Sequence, residues 1–370
     1  MSLFKRNATS GSAWVRRTVR VTMRRMKAFV GGRAIGGAIR SALSFVARHN
    51  DRPAPPAREE SGGPVPKSLT PADQAYAKIR HMARKHTQPV KPSFAASLDA
   101  KVRRQRYAEK TLNVRTFSLM ARRRNEARHF VTALGFQMAA LYRTDFPLSA
   151  LPEAARGLDR FAVKPVHATN AWGVMGLVRI GDNRFRDVLR GEEHEIGSML
   201  ARLRQPMKRY HFPDKWLTEE LLIPPGGEPG PLHEYKFYAF RGSLPLILQV
   251  GGFGPQRRYK WYDADWRPVR TGKYEDRLDL AMPPPLDAVR LTEGVRRLSL
   301  ALPVPFCRID AIETHGGFHI GELTPEPGNY QAFSPEIDHL LGIGYEQSEA
   351  RLVAALKEGD LALPEGVVPL

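Results

Sequence analysis

Two patterns of hydrophobic and polar positions follow one another along the chain. From Pro71 to about Tyr142 the sequence is rich in Ala, Arg, Lys, Leu and Met, which predicts several helices, the clearest over Asn125 to Tyr142. From Phe161 onward, short runs rich in β-branched and aromatic residues alternate with Gly and Pro turns, which predicts strands. The predicted strands are FAVKPV, GVMGLVRI, KWLTEELLI, EYKFYAF, LPLILQV, FCRIDAIE and GFHIGEL. Two more helices, near Leu286 to Leu302 and Gln347 to Leu356, complete an α+β body.

The beginning of the chain differs from this body. Apolar residues recur at helical spacing between Val15 and Val46, and four glycines interrupt them. No apolar run in this segment reaches the ~18 residues that a bilayer-spanning helix needs. The segment Asp51 to Pro66 concentrates Pro, Gly and charged residues, which predicts a flexible linker.

Composition narrows the class of protein. The 370 residues are 42% hydrophobic and 26% charged, which is ordinary for a globular protein and excludes wholesale disorder. A single cysteine excludes an intramolecular disulfide framework and a cysteine-based zinc cluster, and it fits a reducing compartment such as the cytoplasm. The net charge of +19 is concentrated in residues 1–50, which hold eleven Lys or Arg and no acid, so 46 basic and 38 acidic residues remain in the rest.

The basic arm has several explanations. An Arg-rich segment without acidic residues is typical of three kinds of segment: one that lies on an anionic membrane, a transit peptide and a nucleic-acid-binding arm. A disordered basic tail has the same composition. We favour the membrane surface, which predicts a cytoplasmic protein held peripherally at the inner face of the membrane. We expect no specific nucleic acid as a partner, because the body itself is only mildly basic.

The strongest chemical signal is the run CRIDAIETHGGFHIGELTPEPG, which predicts two strands joined by a tight turn at His315–Gly317. This turn places Asp310 opposite Glu322 and Arg308 opposite Thr324, all on one face. Two carboxylates about 5 Å apart repel each other unless a cation lies between them, and Mg²⁺ is suited to that place. The alternative is a surface hairpin in which Arg308 alone neutralises the pair. The apolar neighbours that favour a buried hairpin are Ile309, Ile312, Phe318 and Ile320.

A second candidate is Lys164, which lies in the apolar strand FAVKPV before the loop HATNAWGV. A buried lysine needs a partner, and a phosphate group is one candidate. The alternative is an edge-strand lysine whose ammonium group stays in water. The loop is not a P-loop, since it holds a single glycine. In WLTEELLIPPGG, the neighbouring Glu219 and Glu220 face opposite sides of a strand, so one of them can meet a ligand or Lys164.

Other basic residues lie further along the chain. In HEYKFYAF, Lys236 shares a strand face with Tyr238 and Phe240, which suits either a ligand contact or a core strand with a surface ammonium group. A short basic cluster precedes the aromatic segment WYDADW. It could bind phosphate or an acidic substrate, and the alternative is that it belongs to a solvated loop. Its members are Arg257, Arg258 and Lys260.

The order of these motifs resembles the ATP-grasp superfamily. The segments FAVKP, EYKFYAFRG, YDADW, CRIDAIE, FHIGELTPEPG and SPEIDHLLG are similar to those of the teichuronopeptide-biosynthesis (TupA-like) ATP-grasp family over about Tyr107 to Gly344. The resemblance implies an α+β ATP-grasp fold, in which two α+β subdomains, 159–225 and 226–370, clasp a nucleotide. A helical region (71–158) would precede them, after a linker (51–70) and the basic amphipathic arm (1–50).

The resemblance also implies which residues bind ATP. Lys164 would contact the phosphates of ATP. Glu219, together with the backbone of Glu220 and Leu222, would meet adenine, and Glu228 would be near the ribose.

The same resemblance implies a metal and catalytic set around the predicted hairpin. Asp310 and Glu322 would bind Mg²⁺, Arg308 would stabilise the transferring phosphoryl group, and Lys236 would lie against phosphate or substrate. Two features depart from the family pattern. The third metal position, often Asn, is Thr324, which would act through water, and the phosphate loop HATNAWG is not rich in glycine.

The activity implied is that of an ATP- and Mg²⁺-dependent carboxylate–amine ligase that works through an acyl phosphate. The setting implied is the biosynthesis of cell-surface polysaccharide or peptide polymers, with a uronic or amino acid as substrate. The absence of a Ser-His-Asp or Cys-His arrangement fits this reaction, and Cys307 alternates away from the face of Arg308 and Asp310. Two rivals are an ATP-dependent kinase on the same fold and a non-catalytic, membrane-docked adaptor with a degenerate nucleotide site.

Overall fold

The computed structural model describes residues 91–167, 172–361 and 363–369. The basic arm, the linker and residues 71–90 of the predicted helical region lie outside the described residues, as does much of the HATNAWGV loop (168–171). The chain divides into two units, 1–86 and 87–370, and the description concerns the second unit.

Helices and strands follow one another through this unit. The helices are α1 (Phe94–Thr111), α2 (Phe117–Arg122), α3 (Arg124–Ala133), α4 (Leu151–Ala154), α5 (Ile196–Tyr210), α6 (Ala288–Ala301) and α7 (Pro335–Glu358). The strands of the first sheet are β1 (Leu141–Phe146), β2 (Arg160–Pro165), β3 (Met175–Gly181), β4 (Arg184–Asp187), β5 (Glu192–Glu195) and β6 (Trp216–Glu219). Those of the second sheet are β7 (Glu234–Phe240), β8 (Ser243–Gly251), β9 (Arg258–Tyr262), β10 (Cys307–Thr314) and β11 (Gly317–Thr324).

Both sheets are antiparallel throughout. The six strands of the first sheet run in the order β1-β6-β2-β3-β4-β5, and the five of the second in the order β11-β10-β7-β8-β9. The strand β10 therefore lies inside the second sheet, between its hairpin partner β11 and β7. This position places the charged residues of β10 between neighbours on both sides.

Alternation along β7 separates two hydrophobic cores. Tyr235 and Phe237 are buried on the face covered by α6, whereas Tyr238 and Phe240 are buried on the face covered by α1 and α7. The predicted division of this strand into two faces is confirmed, and Lys236 shares the face of Tyr238. A third core lies between the first sheet and α5, which buries its apolar side chains against β2 and β6.

The predicted strands are all present, but one helix was predicted wrongly. The helix predicted over Asn125 to Tyr142 ends at Ala133, and Leu141–Phe146 is the strand β1, which pairs with β6. β1 is a half-exposed edge strand with an irregular register, so it has no clear alternation of apolar residues. The pattern also missed the strands β4, β5 and β9. The closing helix begins earlier than predicted, at Pro335, where the Ser334 hydroxyl accepts a hydrogen bond from the backbone N–H of Ile337.

The helix α1 packs across α7. Its first residue, Phe94, is fully buried among Tyr238, Phe240 and Phe306, and the Ser93 hydroxyl caps the helix. The close approach depends on Gly342 of α7, where an added Cβ would lie 2.6 Å from the backbone of the segment that leads into α1. No helix in the described residues has both the length and the apolar character that crossing a membrane requires.

This packing generates a first prediction. Gly342→Ala forces the backbone of Pro92 and Ser93 away from α7, so we expect the free energy of unfolding to fall by about 1–3 kcal/mol. Gly344→Ala on the same helix is the control, because its Cβ would lie 3.6 Å from the Phe240 ring, an ordinary contact, and alanine favours the helix. Urea unfolding of both variants measures the difference. Equal stabilities of the two variants would contradict the predicted contact.

Candidate active site

The hairpin of β10 and β11 pairs the four residues that the sequence predicted. Asp310 lies opposite Glu322, and Arg308 lies opposite Thr324. Ile309 and Ile320 are fully buried, so the hairpin is a core element and not a surface loop. The predicted pairing is therefore confirmed.

The turn of this hairpin differs from the predicted one. Thr314 lies opposite Gly317, so the loop consists of His315 and Gly316 alone and is one residue shorter than predicted. Gly321 is an extra residue in β11, a β-bulge that shifts the register by one position before Asp310 and Glu322. The bulge compensates for the shorter turn, which is why the pairing of the carboxylates was predicted correctly from a wrong turn.

Asp310 lies at the centre of a row of charges across three strands. Lys236 of β7 is opposite Asp310 on one side, and Glu322 of β11 is opposite it on the other. The fully buried Asp310 carboxylate accepts hydrogen bonds from Lys236 Nζ at 2.6 Å and from Arg308 Nε and Nη2 at 2.6 and 2.7 Å. Arg308 Nη2 also donates to Thr324 Oγ1 at 3.0 Å.

The two opposed carboxylates differ in their electrostatic environment. Burial alone would raise the pKa of Asp310, but Arg308 and Lys236 together lower it, so this carboxylate is ionised. The pKa of Glu322 is raised. Burial is the larger cause, and the negative charge of Asp310 is the second. Glu322 makes no ion pair with any described residue, whereas Asp310 is paired with both Lys236 and Arg308.

Two residues of this centre were not predicted. Glu234 lies two positions before Lys236 on β7, and its carboxylate is 2.6 Å from Lys236 Nζ. The two-residue period of a strand would have placed it there. Lys273 is buried in the loop after β9, where its ammonium group donates to the Gly328 carbonyl at 2.9 Å. Burial and the charge of Arg308 lower the pKa of Lys273 to about 7, and no local pattern indicated this position.

A second charged group lies on the first sheet. Lys164 Nζ is 2.5 Å from Glu219 Oε1, which confirms that one of the two neighbouring glutamates meets this lysine. The other carboxylate oxygen of Glu219 accepts a hydrogen bond from Arg128 of α3 at 2.9 Å. The pKa of Lys164 is lowered because burial outweighs the attraction of Glu219. Arg128 was not predicted, because no local pattern links α3 to a residue 91 positions further along the chain.

The remaining predicted nucleotide residues lie along the segment that follows β6. The backbone N–H of Glu220 donates to the Ala140 carbonyl at 2.8 Å, and its carboxylate accepts from the Ala140 N–H at 3.0 Å. Leu222 is buried, whereas Glu228 is exposed in a loop. The Ile223 carbonyl then accepts a hydrogen bond from the backbone of the β10–β11 turn at 3.0 Å, which joins the two sheets at this point.

One arginine lies near both charged groups. Arg124 at the start of α3 lies within electrostatic range of both Lys164 and Glu322. The structure therefore pairs Lys164 with Glu219 on the first sheet. On the second sheet it groups Lys236 and Arg308 with Asp310, opposite Glu322, whereas Glu228 lies on an exposed loop.

The donor set around Glu322 fits a hard divalent cation. Carboxylate oxygens are the preferred ligands of Mg²⁺, and the Glu322 carboxylate makes no ion pair with a described residue. Among the described residues, no group of three or more His, Cys, Asp or Glu side chains is placed to hold a metal ion. Thr324 already accepts a hydrogen bond from Arg308, which suits a contact through water better than a direct bond to a metal.

Comparisons with known proteins agree with this arrangement. Residues 157–345, half of the chain, match the sequence model of the TupA-like ATP-grasp family. The search of curated proteins found no match.

Solved structures similar to the chain share low sequence identity with it. A D-alanine–D-alanine ligase from Bacillus anthracis is 13% identical, with a TM-score of 0.37, over 64% of this chain and 67% of that one. The D-cycloserine synthetase DcsG is 17% identical, with a TM-score of 0.34, over 63% of this chain and 70% of that one. The ATP-grasp ligase PsnB in complex with a minimal precursor is 11% identical, with a TM-score of 0.33, over 62% of this chain and 60% of that one.

At these values the structural likeness is weak, and the family assignment follows from the family match. That match covers the first sheet except β1, all of the second sheet with its charged hairpin, and the first part of α7. The chain therefore belongs to the TupA-like ATP-grasp family of ATP-dependent enzymes, as the resemblance of its motifs predicted.

Proposed function

We propose that the protein is an ATP- and Mg²⁺-dependent carboxylate–amine ligase. The observation that carries this proposal is the row of Lys236, Asp310 and Glu322 across the second sheet, with Arg308 on the same face. ATP transfers its γ-phosphoryl group to a substrate carboxylate, and an amine then displaces phosphate from the acyl phosphate. The products are ADP, phosphate and an amide, with one proton released.

The chain's own residues supply positive charge to this reaction. Lys164 binds the phosphates of ATP once the nucleotide competes with Glu219 for its ammonium group. Arg308 and Lys236 stabilise negative charge on the transferring phosphoryl group, which is the main demand of such a transfer. Asp310 and Glu322 would hold Mg²⁺, which would neutralise phosphate charge. Glu219, the backbone of Glu220 and Leu222 hold adenine, and Glu228 is the candidate for the ribose.

This reaction needs no protein nucleophile, and the one cysteine is unsuited to be one. Cys307 is buried on the face of β10 opposite to Arg308, as predicted, and burial raises the pKa of its thiol to about 12. The thiol therefore stays protonated at neutral pH.

Product analysis identifies the substrates and distinguishes a ligase from a kinase and from a non-catalytic adaptor. We propose that the acid is a uronic or amino acid and that the product enters a cell-surface polysaccharide or peptide polymer. Pure protein is incubated with ATP, Mg²⁺ and a panel of such acids and amines, and ADP, free phosphate and amide are measured. A ligase releases phosphate in step with amide, a kinase leaves phosphate on the product, and an adaptor shows no turnover.

Glu322→Gln provides a test of the metal assignment. The variant keeps the size of the side chain and removes the charge, so we expect turnover at limiting Mg²⁺ to fall on the order of 100-fold with the fold intact. Asp310→Asn is a less clean test, because it leaves Arg308 and Lys236 buried beside a neutral partner and lowers stability as well. Glu336→Gln, at the exposed start of α7, is the control. Turnover of Glu322→Gln at the level of the control would overturn the assignment.

Lys164→Met tests the nucleotide site. The substitution keeps the aliphatic stem and removes the ammonium group, so the affinity for ATP should fall about tenfold or more, the equivalent of ~1.5 to 3 kcal/mol. Lys215→Met is the control, since Lys215 precedes β6 on the same sheet and its side chain is half exposed. Calorimetric titration with ATP compares the two variants, and unchanged affinity in Lys164→Met would leave this lysine with a structural role only.

We further propose that residues 1–50 place the enzyme at an anionic membrane surface. Each basic residue near such a surface contributes about 1 kcal/mol, and salt screens the attraction. A chain that starts near Ser68 should keep ATP turnover and stop co-sedimenting with anionic vesicles, while neutral vesicles should bind the full chain poorly. Vesicle binding of the shortened chain equal to that of the full chain would contradict this role of the arm.

A further inference from the structure

Two basic side chains share one buried carboxylate at the end of β6. Glu219 is only 7% exposed, and each of its two carboxylate oxygens has a different partner. Its Oε1 lies 2.5 Å from Lys164 Nζ, and its Oε2 accepts a hydrogen bond from Arg128 Nη2 at 2.9 Å. The side chains of Lys164 and Arg128 are 20% and 19% exposed. Either partner can therefore leave this carboxylate without leaving it unpaired.

The first sheet itself places the lysine beside the glutamate. Ala162 of β2 pairs with Glu219 of β6, and Lys164 pairs with Leu217, so Lys164 lies diagonally across from Glu219 on the same face. Long side chains at diagonal positions of antiparallel strands are within reach of each other. The contact between Lys164 and Glu219 is thus a consequence of strand register and needs no help from α3.

Arg128 reaches the same carboxylate from outside the sheet. It lies on α3, and Val131 of this helix is buried in the same core as Ile320 of β11, so α3 packs with the second sheet. The guanidinium group has a second partner, because its Nη1 donates to the carbonyl of Ala139. A planar fork with two partners is held in one orientation. Arg128 therefore keeps its place when the other partner of Glu219 moves.

The backbone beside the shared carboxylate is fixed from the same side. The N–H of Glu220 donates to the Ala140 carbonyl at 2.8 Å, and the N–H of Ala140 donates to the Glu220 carboxylate at 3.0 Å. Arg128 joins Ala139 to Glu219, one residue earlier on each of the two segments. The segment before β1 and the end of β6 are thus held together by two adjacent links, and Arg128 is one of them.

The cost of using Lys164 for another anion depends on this arrangement. A phosphate group that binds the ammonium group of Lys164 draws it away from Glu219. If Lys164 were the sole partner, a buried carboxylate would then remain without a counter-ion, which is a costly state. Because Arg128 keeps the carboxylate paired, Lys164 can exchange one anion for another at a small cost.

We propose that Arg128 is a positioning residue of the nucleotide site, which frees the ammonium group of Lys164 for the phosphates of ATP by holding Glu219. The proposal rests on the role proposed above for Lys164, and it extends the site to α3, which precedes the residues of the family match, 157–345. In this role Arg128 touches neither the phosphates nor adenine. Without it, Glu219 pairs with Lys164 alone and competes more strongly with the nucleotide.

A double-mutant cycle, measured by calorimetric titration of the full chain with ATP, tests this role. Arg128→Gln should weaken ATP binding about tenfold, because Lys164 then has to leave an unpaired carboxylate. Lys164→Met removes the ammonium group that Arg128 frees, so adding Arg128→Gln to Lys164→Met should weaken binding further by less than about twofold. Adenosine, which has no phosphate, should bind Arg128→Gln and the unchanged chain with affinities that agree within about twofold.

Arg123→Gln is the matched control. Arg123 directly precedes α3, and it pairs with Glu126 at the surface with its own side chain 59% exposed. The substitution removes the same charge and leaves Glu219 with both of its partners, so ATP affinity should change less than about twofold. Thermal unfolding checks that each variant folds. If Arg128→Gln does not fold, Arg128→Lys replaces it in the cycle, with an expected loss of about threefold that again vanishes beside Lys164→Met.

Three outcomes would overturn the proposal. In the first, Arg128→Gln binds ATP as well as Arg123→Gln does. In the second, the losses from Arg128→Gln and Lys164→Met add up in the double variant, which would show that Arg128 acts independently of Lys164. In the third, adenosine binding falls as much as ATP binding, which would assign Arg128 to the adenine pocket or to folding. An unchanged affinity in Lys164→Met would instead overturn the nucleotide role of Lys164 itself, so the two failures are distinguishable.

Discussion

The second sheet is organised around the ionised carboxylate of Asp310, which is fully buried and paired with Arg308 and Lys236. A buried charge of this kind is tolerated only with good geometry and full hydrogen bonding. β10 supplies that geometry, because it lies between two antiparallel neighbours that each place a side chain opposite Asp310. Glu322 on one of them makes no ion pair with a described residue, although the charges of Arg308, Arg124 and Lys236 oppose the rise of its pKa. This difference between the two carboxylates is the basis on which Glu322 is proposed as a ligand of Mg²⁺.

The helices that precede the two sheets take part in this centre. The ammonium group of Lys101 on α1 is buried and donates to Ser118 at 3.0 Å and to the Pro325 carbonyl at 3.4 Å, just after the end of β11. Arg128 on α3 pairs with Glu219, the partner of Lys164. One helix therefore supports the charged hairpin and another the lysine on the first sheet. Lys101 makes buried hydrogen bonds and Arg128 makes a half-buried ion pair. Removing either side chain would leave polar or charged groups without a partner near the site.

The sequence was informative wherever a local period decides the structure. The alternation in EYKFYAF correctly divided Tyr235 and Phe237 from Lys236 and Tyr238, and all seven predicted strands are present. The edge strand β1 and the short strands β4 and β5 were missed, because half-exposed strands have mixed faces and carry little periodic signal. The roles assigned to Lys164, Glu219, Asp310 and Glu322 remain proposals, although the structure brings each into a charged group.

By itself the sequence determined the family and the faces of the central strands, because residue order and the two-residue period are local properties. The pairing of Asp310 with Glu322 also depends on the bulge at Gly321, which no local pattern indicated. Tertiary structure alone decided which charges meet. Arg128 reaches Glu219 from 91 positions away, and Lys236 reaches Asp310 from 74 positions away, separations over which no period carries information. A cavity lined by both Arg190 and Arg257 arises in the same way, because these arginines lie 67 positions apart in the sequence.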